Sequence, residues 1–367
     1  MARKPKINEV KVDLASYRHY WRGVKKVGKT TLFRDLIYEL YDGDLSNGLL
    51  ISIGNEDGYK ALDGLYYDVA PNWQELDEII NDLCENKEDN NYKFICFDTV
   101  DELIAIGQRE IIRQHTREKG VKPSGFNACF SGYNEPKRRL TALIDNMMTR
   151  LTMAGYGEIF IGHTKYKEIE EKDGTKYQML TSNLTSDYDM IFAAKADINM
   201  IINVEKETDH NRLVGTHRYM CFRNDGFVDA GGRFSEIPDK VDFSARNYID
   251  AVTEGIKASI KRGPKDDKAL EEKRQKEIAE KEAYYQEHKD ELSTPMAFED
   301  ALEAEMDAHD PSNLISEIDS IIKKMPMGVK KETQEKLKEK DLPLNYKKVT
   351  DMGELKKILA IVKELDS

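Results

Sequence analysis

Gly23-Val24-Lys25-Lys26-Val27-Gly28-Lys29-Thr30, followed by Thr31, matches the phosphate-loop pattern G-x-x-x-x-G-K-[ST] at every fixed position. Glycines at 23 and 28 are expected to permit the turns that aim successive N–H groups at a polyphosphate. Lys29 has the reach for the β- and γ-phosphates, and the Thr30 hydroxyl is suited to ligate Mg²⁺. The flanks agree with this reading. Tyr17-Arg18-His19-Tyr20-Trp21-Arg22 is extended and aromatic, as a strand entering the loop should be. After the loop, Leu32, Phe33, Leu36, Ile37 and Leu40 fall on one helical face. A helix that starts at the loop points its positive dipole end at the phosphates. A chance match in a Gly-rich turn would lack these two neighbours.

A phosphate loop needs a second acidic group for the Mg²⁺ shell. Lys93-Phe94-Ile95-Cys96-Phe97-Asp98-Thr99 is an apolar run ending in Asp98, about 70 residues on, in the manner of a Walker B strand. The metal residues expected are therefore Thr30 and Asp98. In AAA-type ATPases a glutamate directly follows this aspartate; here the position is Thr99, so the water-activating carboxylate has to lie elsewhere. Asp101 and Glu102, a turn later, are one candidate pair.

The chain has 367 residues, 40% of them hydrophobic, enough for a sizeable core and a smaller module. A formal net charge of -12 excludes a molecule coated in positive charge, but leaves room for a local basic groove. Cys84, Cys96, Cys129 and Cys221 show no C-x-x-C spacing, which points to reduced cytoplasmic thiols and against a zinc site or a disulfide frame. Met-Ala-Arg-Lys-Pro-Lys at the N-terminus has no apolar run, so no secretory signal is expected. No stretch approaches the ~18 apolar residues of a membrane span.

Residues 1–262 alternate short apolar runs with helical patterns, predicting an α/β core with a mainly parallel sheet flanked by helices. Buried strands are expected at 48–53, 93–97 and 158–162. The runs 197–204 and 212–222 predict an antiparallel hairpin at one sheet edge. Residues 263–310 are highly charged and read as a solvated helix or linker, with an acidic stretch over 299–310. Residues 311–367 hold three short amphipathic segments separated by Pro326 and Pro343, a small helical C-terminal module. Lys323, Lys324, Lys330, Lys331, Lys336, Lys338 and Lys340 make its middle basic, either a partner-binding face or an ordinary solvated one.

The loop, Asp98-Thr99 and a third polar strand end, Ile159-Phe160-Ile161-Gly162-His163-Thr164-Lys165, occur in an order that resembles the RecA-like P-loop ATPases. More narrowly the chain resembles phage-encoded, core-only RecA-like ATPases of the Sak-four type, over roughly residues 16–250, with Gly-Gly-Arg-Phe and Ile-Pro within 231–238 adding to the likeness. That resemblance implies an ATP- and Mg²⁺-dependent hydrolase that binds single-stranded DNA and supports strand annealing in phage recombination. A replicative helicase or helicase loader, or a nucleotide-gated scaffold, are the competing functions. It implies Glu56, past the second strand, as the catalytic base, the other reading being a turn of solvated acids. It implies His163 as a γ-phosphate sensor, where a lone His would otherwise be hydrogen-bonded structure. It places DNA contact in Gly120–Tyr133, a Gly-rich aromatic loop flanked by Arg109, Arg113, Arg117, Lys119, Lys137, Arg138 and Arg139. Alternatively, that loop is a surface connection with its aromatics tucked into the core. The second DNA loop, from Tyr166 to about Met190, opens with Glu168, Glu170 and Glu171, which argues against direct phosphate contact. A homo-oligomer is implied, with Arg218, Arg223 or Arg233 reaching a neighbouring subunit's site, and a single-strand binding protein as a partner of the C-terminal module.

Overall fold

The computed structural model describes residues 7–131, 134–209, 212–263 and 265–292, and in the C-terminal part 315, 318–319, 321–323, 325–340, 342–349 and 352–366. The chain divides into two compact units, Met1–Ser293 and Thr294–Ser367.

The first unit is an α/β sheet structure. In chain order its elements are β1 (Arg18–Gly23), α1 (Lys29–Leu40), β2 (Gly48–Ile53), β3 (Tyr66–Ala70), α2 (Trp73–Glu85), β4 (Phe94–Asp98), α3 (Val100–Lys119) and α4 (Glu135–Ala154). There follow β5 (Gly157–Glu170), β6 (Lys176–Ser182), α5 (Ser186–Ala193), β7 (Ile198–Asp209), β8 (Arg212–Cys221), β9 (Gly231–Gly232), β10 (Lys240–Asp242), α6 (Ala245–Ser259) and α7 (Asp267–Leu292). The sheet runs β10-β8-β7-β1-β5-β4-β2-β3. From β7 to β3 every pairing is parallel, whereas β8 and β10 add antiparallel strands at one edge, the expected hairpin.

The near-continuous apolar runs of the central strands follow from burial on both faces. In β1, Tyr20 joins the core under α2, α3 and α4, while its neighbour Trp21 joins the opposite core under α1 and α6. Successive residues of β2, β4 and β5 alternate between the same two cores. Polar groups buried in β1 are satisfied by a relay. The Trp21 indole N–H donates to the Tyr248 hydroxyl at 2.9 Å, and that hydroxyl lies 2.6 Å from His19 Nδ1. Because the tyrosine proton goes to Nδ1, His19 carries its own proton on Nε2 and donates it to Leu14 O at 3.1 Å. Burial pulls the His19 pKa down to about 4, so the ring stays neutral and the relay fastens α6 to the loop-bearing strand.

The charged stretch after residue 263 opens with a helix, one of the two forms expected of it, but that helix is not simply solvated. The helix, α7, docks on the core. Tyr285 is fully buried and its hydroxyl donates to Cys84 O at 3.0 Å. Glu277, also buried, accepts the backbone N–H groups of Val12 and Asp13, and Lys281 pairs with Asp13 at 2.8 Å. Apolar anchors only at Leu270, Tyr285 and Leu292 leave no helical hydrophobic stripe to read, since charged groups make most of the contact. The acidic stretch 299–310 lies outside the described residues.

In the second unit, α8 (Met327–Glu339) and α9 (Met352–Asp366) bury Leu337, Leu355, Ile358, Ile361 and Val362 in their own cluster with Ile318 and Met325. Leu314 and Lys324 lie outside the described residues. Among the described residues no helix is long and apolar enough to cross a membrane.

Tyr285→Ala is expected to lower unfolding free energy by roughly 3–5 kcal/mol, the cost of emptying a large aromatic site. Denaturant titration checks it; a loss under about 1 kcal/mol would show that α7 is not docked.

Candidate nucleotide site

β1 ends inside the sheet, so the loop that leaves it starts from a fixed point. Gly23 lies in register with His163 of β5 and Ile202 of β7. A Cβ on Gly23 would fall 2.9 Å from the Val27 side chain and 3.2 Å from that of Ile202. Space therefore demands glycine there, and the unusual backbone angles lie further on, at Lys26 (φ 62) and Gly28 (φ 108). This corrects the expectation that Gly23 is needed for its turn. Val24 is half-buried, Lys25 and Lys26 are exposed, and Val27 is buried. Gly28 caps α1 without a side-chain hydrogen bond, so no side chain blocks the N–H groups of its first turn, which includes Thr31.

Lys29 bends back over the loop, donating from Nζ to Gly23 O at 2.9 Å and Val24 O at 3.0 Å. Burial lowers its pKa to about 8, against the attraction of Asp98, Asp101 and Glu56. One residue later the Thr30 hydroxyl donates to Asp98 Oδ2 at 2.8 Å. Asp98 ends β4, two strands from β1, and is nearly inaccessible. Burial raises its pKa, opposed by the Thr30 hydrogen bond and the Lys29 charge.

The turn after β2 comes to the same place. Ser52 donates to Glu56 O at 2.6 Å, and Gly58 lies so near that a Cβ there would be 3.3 Å from Thr30 Oγ1. The Glu56 carboxylate is half-buried and acts electrostatically on both Lys29 and Asp98. Asp101, the other candidate base, is occupied. It accepts from the His163 backbone N–H at 3.0 Å and from Asn183 Nδ2 at 2.9 Å, and lies 3.2 Å from His163 Nδ1. Burial alone would raise its pKa, but these hydrogen bonds hold it below the ordinary value. Glu102 is packed against Gly54, where a Cβ would meet Glu102 Oε2 at 2.3 Å. The loop, Glu56, Asp98 and His163 are thus brought together.

Residues 15–234 match the family model of an AAA domain (AAA_24), a span that includes all of these groups. The chain belongs to that AAA-domain family. No curated protein matches it. Among solved structures, a KaiC-like protein from the hyperthermophilic archaeon Pyrococcus horikoshii aligns over 59% of this chain and 88% of its own, at 10% identity and a TM-score of 0.32.

The AAA domain here supplies the parts that phosphoryl transfer uses. Loop N–H groups and Lys29 fit an anionic polyphosphate. A hydroxyl and one carboxylate, Thr30 and Asp98, fit Mg²⁺, which takes few protein ligands and keeps water for the rest. Bound there, Mg²⁺ would neutralise phosphate charge. Of the candidate bases, Glu56 and Glu102 both have carboxylates without a hydrogen-bonding partner among the described residues, but Glu102 is packed against Gly54 whereas Glu56 acts electrostatically on Lys29 and Asp98.

Two other expected features are arranged differently. In the 120–133 loop, Cys129 and Phe130 are buried, and Phe126 packs against the core. Arg139 covers the Phe130 ring at 3.8 Å and pairs with Glu135, Arg113 pairs with Glu110, and Lys137 with Asp187. Stacking aromatics are thus absent from its described part; Gly132 and Tyr133 lie outside the described residues. The three late arginines also separate. Arg223 donates to the carbonyls of Phe234 and Ile237, Arg233 pairs with Asp197 at 3.3 Å, and Arg218 contacts its own chain's phosphate loop. Asn183, Asp101 as partner of His163, and Ser52 were not evident from the sequence, because each acts through a contact between distant segments.

Glu56→Gln is expected to keep nucleotide binding and lose turnover by about 10²–10⁴-fold. Steady-state phosphate release beside equilibrium ATP binding checks this, and normal turnover would remove Glu56 from the role of base.

Proposed function

We propose that this chain is a Mg²⁺-dependent, RecA-like ATPase that binds single-stranded DNA and acts as a homo-oligomer in phage strand annealing and recombination, in the host cytoplasm. The observation that carries the ATPase reading is the Thr30–Asp98 hydrogen bond of 2.8 Å beneath the Lys29 loop, with Glu56 beside it. Lys29, Glu56, Asp98 and His163 are the catalytic set, and 23–31 the nucleotide-binding segment.

The DNA part rests on different groups from those first expected. Arg109, Arg117, Lys119 and Lys122 are exposed and form no ion pair among the described residues, so they suit phosphate contact without base stacking. His163 lies on β5, which continues into a hairpin with β6 carrying the exposed Tyr166. Through that strand the γ-phosphate state would reach the hairpin. A single-strand binding protein at the C-terminal module remains part of the proposal, supported by the lysines of its middle segment.

Single-stranded DNA is expected to raise ATP turnover, and the stimulation to fall steeply between about 50 and 200 mM salt. Lys119→Glu with Lys122→Glu should reduce the stimulation. Turnover indifferent to DNA at low salt would contradict the DNA reading, and tight ATP binding with negligible turnover would favour a nucleotide-gated scaffold.

A further inference from the structure

Arg218 lies on β8, in register with Val204 of β7 and two strands from the loop-bearing β1. From there its side chain returns to the phosphate loop of its own subunit. Nη1 donates to Val27 O at 3.0 Å. A Cβ on Gly28 would fall 3.0 Å from that nitrogen and 3.1 Å from the Phe243 ring. The guanidinium is stacked 4.4 Å over Phe243, and the Phe243 N–H donates to Arg218 O at 3.0 Å. Backbone and ring together therefore hold one side chain over the second glycine of the loop.

The charge of this group sets it apart. Arg22, Arg223 and Arg233 each have a carboxylate within 4 Å, whereas no carboxylate among the described residues pairs with Arg218. One carbonyl uses one of five N–H donors, which leaves an exposed cation with donors to spare. An aromatic ring stabilises a guanidinium without neutralising it, and fixes its plane before any ligand arrives. A preorganised, uncompensated cation at the rim of an anion-binding loop has an anion as its natural partner.

We propose that Arg218 is a phosphate-binding side chain acting in cis, contacting the polyphosphate of the nucleotide held by its own subunit, with Phe243 as its positioning support. This rests on the nucleotide-site reading above and adds to it a ligand that the phosphate-loop pattern does not contain. It also takes Arg218 out of the three arginines considered for a neighbouring subunit's site. The glycine at 28 then has a second reason: a side chain there would displace the arginine.

The test titrates the full chain with ATP and Mg²⁺, following binding directly, for wild type, Lys29→Ala, Arg218→Ala, Arg218→Lys and Phe243→Leu. Arg218→Ala is expected to weaken binding roughly 10- to 100-fold, as the loss of a charge-assisted hydrogen bond does. Arg218→Lys and Phe243→Leu should weaken it less, since each keeps a cation nearby without its fixed plane. A thermal midpoint like that of wild type shows that the exposed arginine was not needed for folding. Unchanged affinity in Arg218→Ala, with a loss in Lys29→Ala, would overturn this proposal alone. Unchanged affinity in both would overturn the nucleotide-site reading itself. A second arm mixes Arg218→Ala subunits with Lys29→Ala subunits and measures turnover. A cis arginine leaves the mixture no more active than its components; recovered turnover would show that Arg218 acts across a subunit boundary and would overturn the assignment.

Discussion

The hydrogen bond from the Thr30 hydroxyl to the Asp98 carboxylate joins the first turn of α1 to the end of β4, a strand separated from the loop-bearing β1 by β5. It is the point at which separate parts of the chain become one site. β1 fixes where the loop begins, through a position too crowded for any residue but glycine. β4 delivers a single carboxylate into a nearly inaccessible place, where burial makes its charge unfavourable unless a hydroxyl, Lys29 or a metal compensates. The turn after β2 brings Glu56 to the same spot. If β4 shifted by one residue, Asp98 would face the other side of the sheet.

The surroundings of the loop are unusually charged for a core. Arg22, directly before Gly23, is fully buried with Asp189 and Asp229 each at 3.6 Å, and it donates to Asn199 Oδ1 at 2.8 Å. Asp189 belongs to α5, after the β5–β6 hairpin, and it also accepts the Tyr20 hydroxyl at 2.9 Å. Removing one partner of such a group would leave an uncompensated buried charge. The loop-bearing strand is therefore tied electrostatically to the segment that follows the hairpin, while His163 is tied through Asp101 to Asn183 at that segment's start. Two links join the loop region to one segment, residues 183–189.

Much of this was legible in the residues. The loop, its helix and the buried strands could be read because a phosphate loop has fixed spacing and a strand buried on both faces is a continuous apolar run. What escaped has a common cause. Helix α7 docks through Glu277, Lys281 and Tyr285, charged or isolated residues whose partners lie more than 200 positions away. The 120–133 loop left two readings open, stacking aromatics or aromatics tucked into the core, and only the contacts decide for Phe130, which is buried beneath Arg139. Arg218 looked free to serve a neighbour, and only the return of the edge hairpin shows it over its own loop. Periodicity reports which face of an element is apolar; it does not report which polar groups from distant segments will meet.

The geometry of Thr30 and Asp98 predicts a metal-dependent nucleotide site. Its most direct test is equilibrium ATP binding by wild type and Thr30→Ala, each measured with Mg²⁺ and with Mg²⁺ removed by chelation. One saturable site per chain is expected, weakened by Thr30→Ala when Mg²⁺ is present and unaffected by it when Mg²⁺ is absent. No ATP binding by wild type, or an equal loss under both conditions, would contradict it.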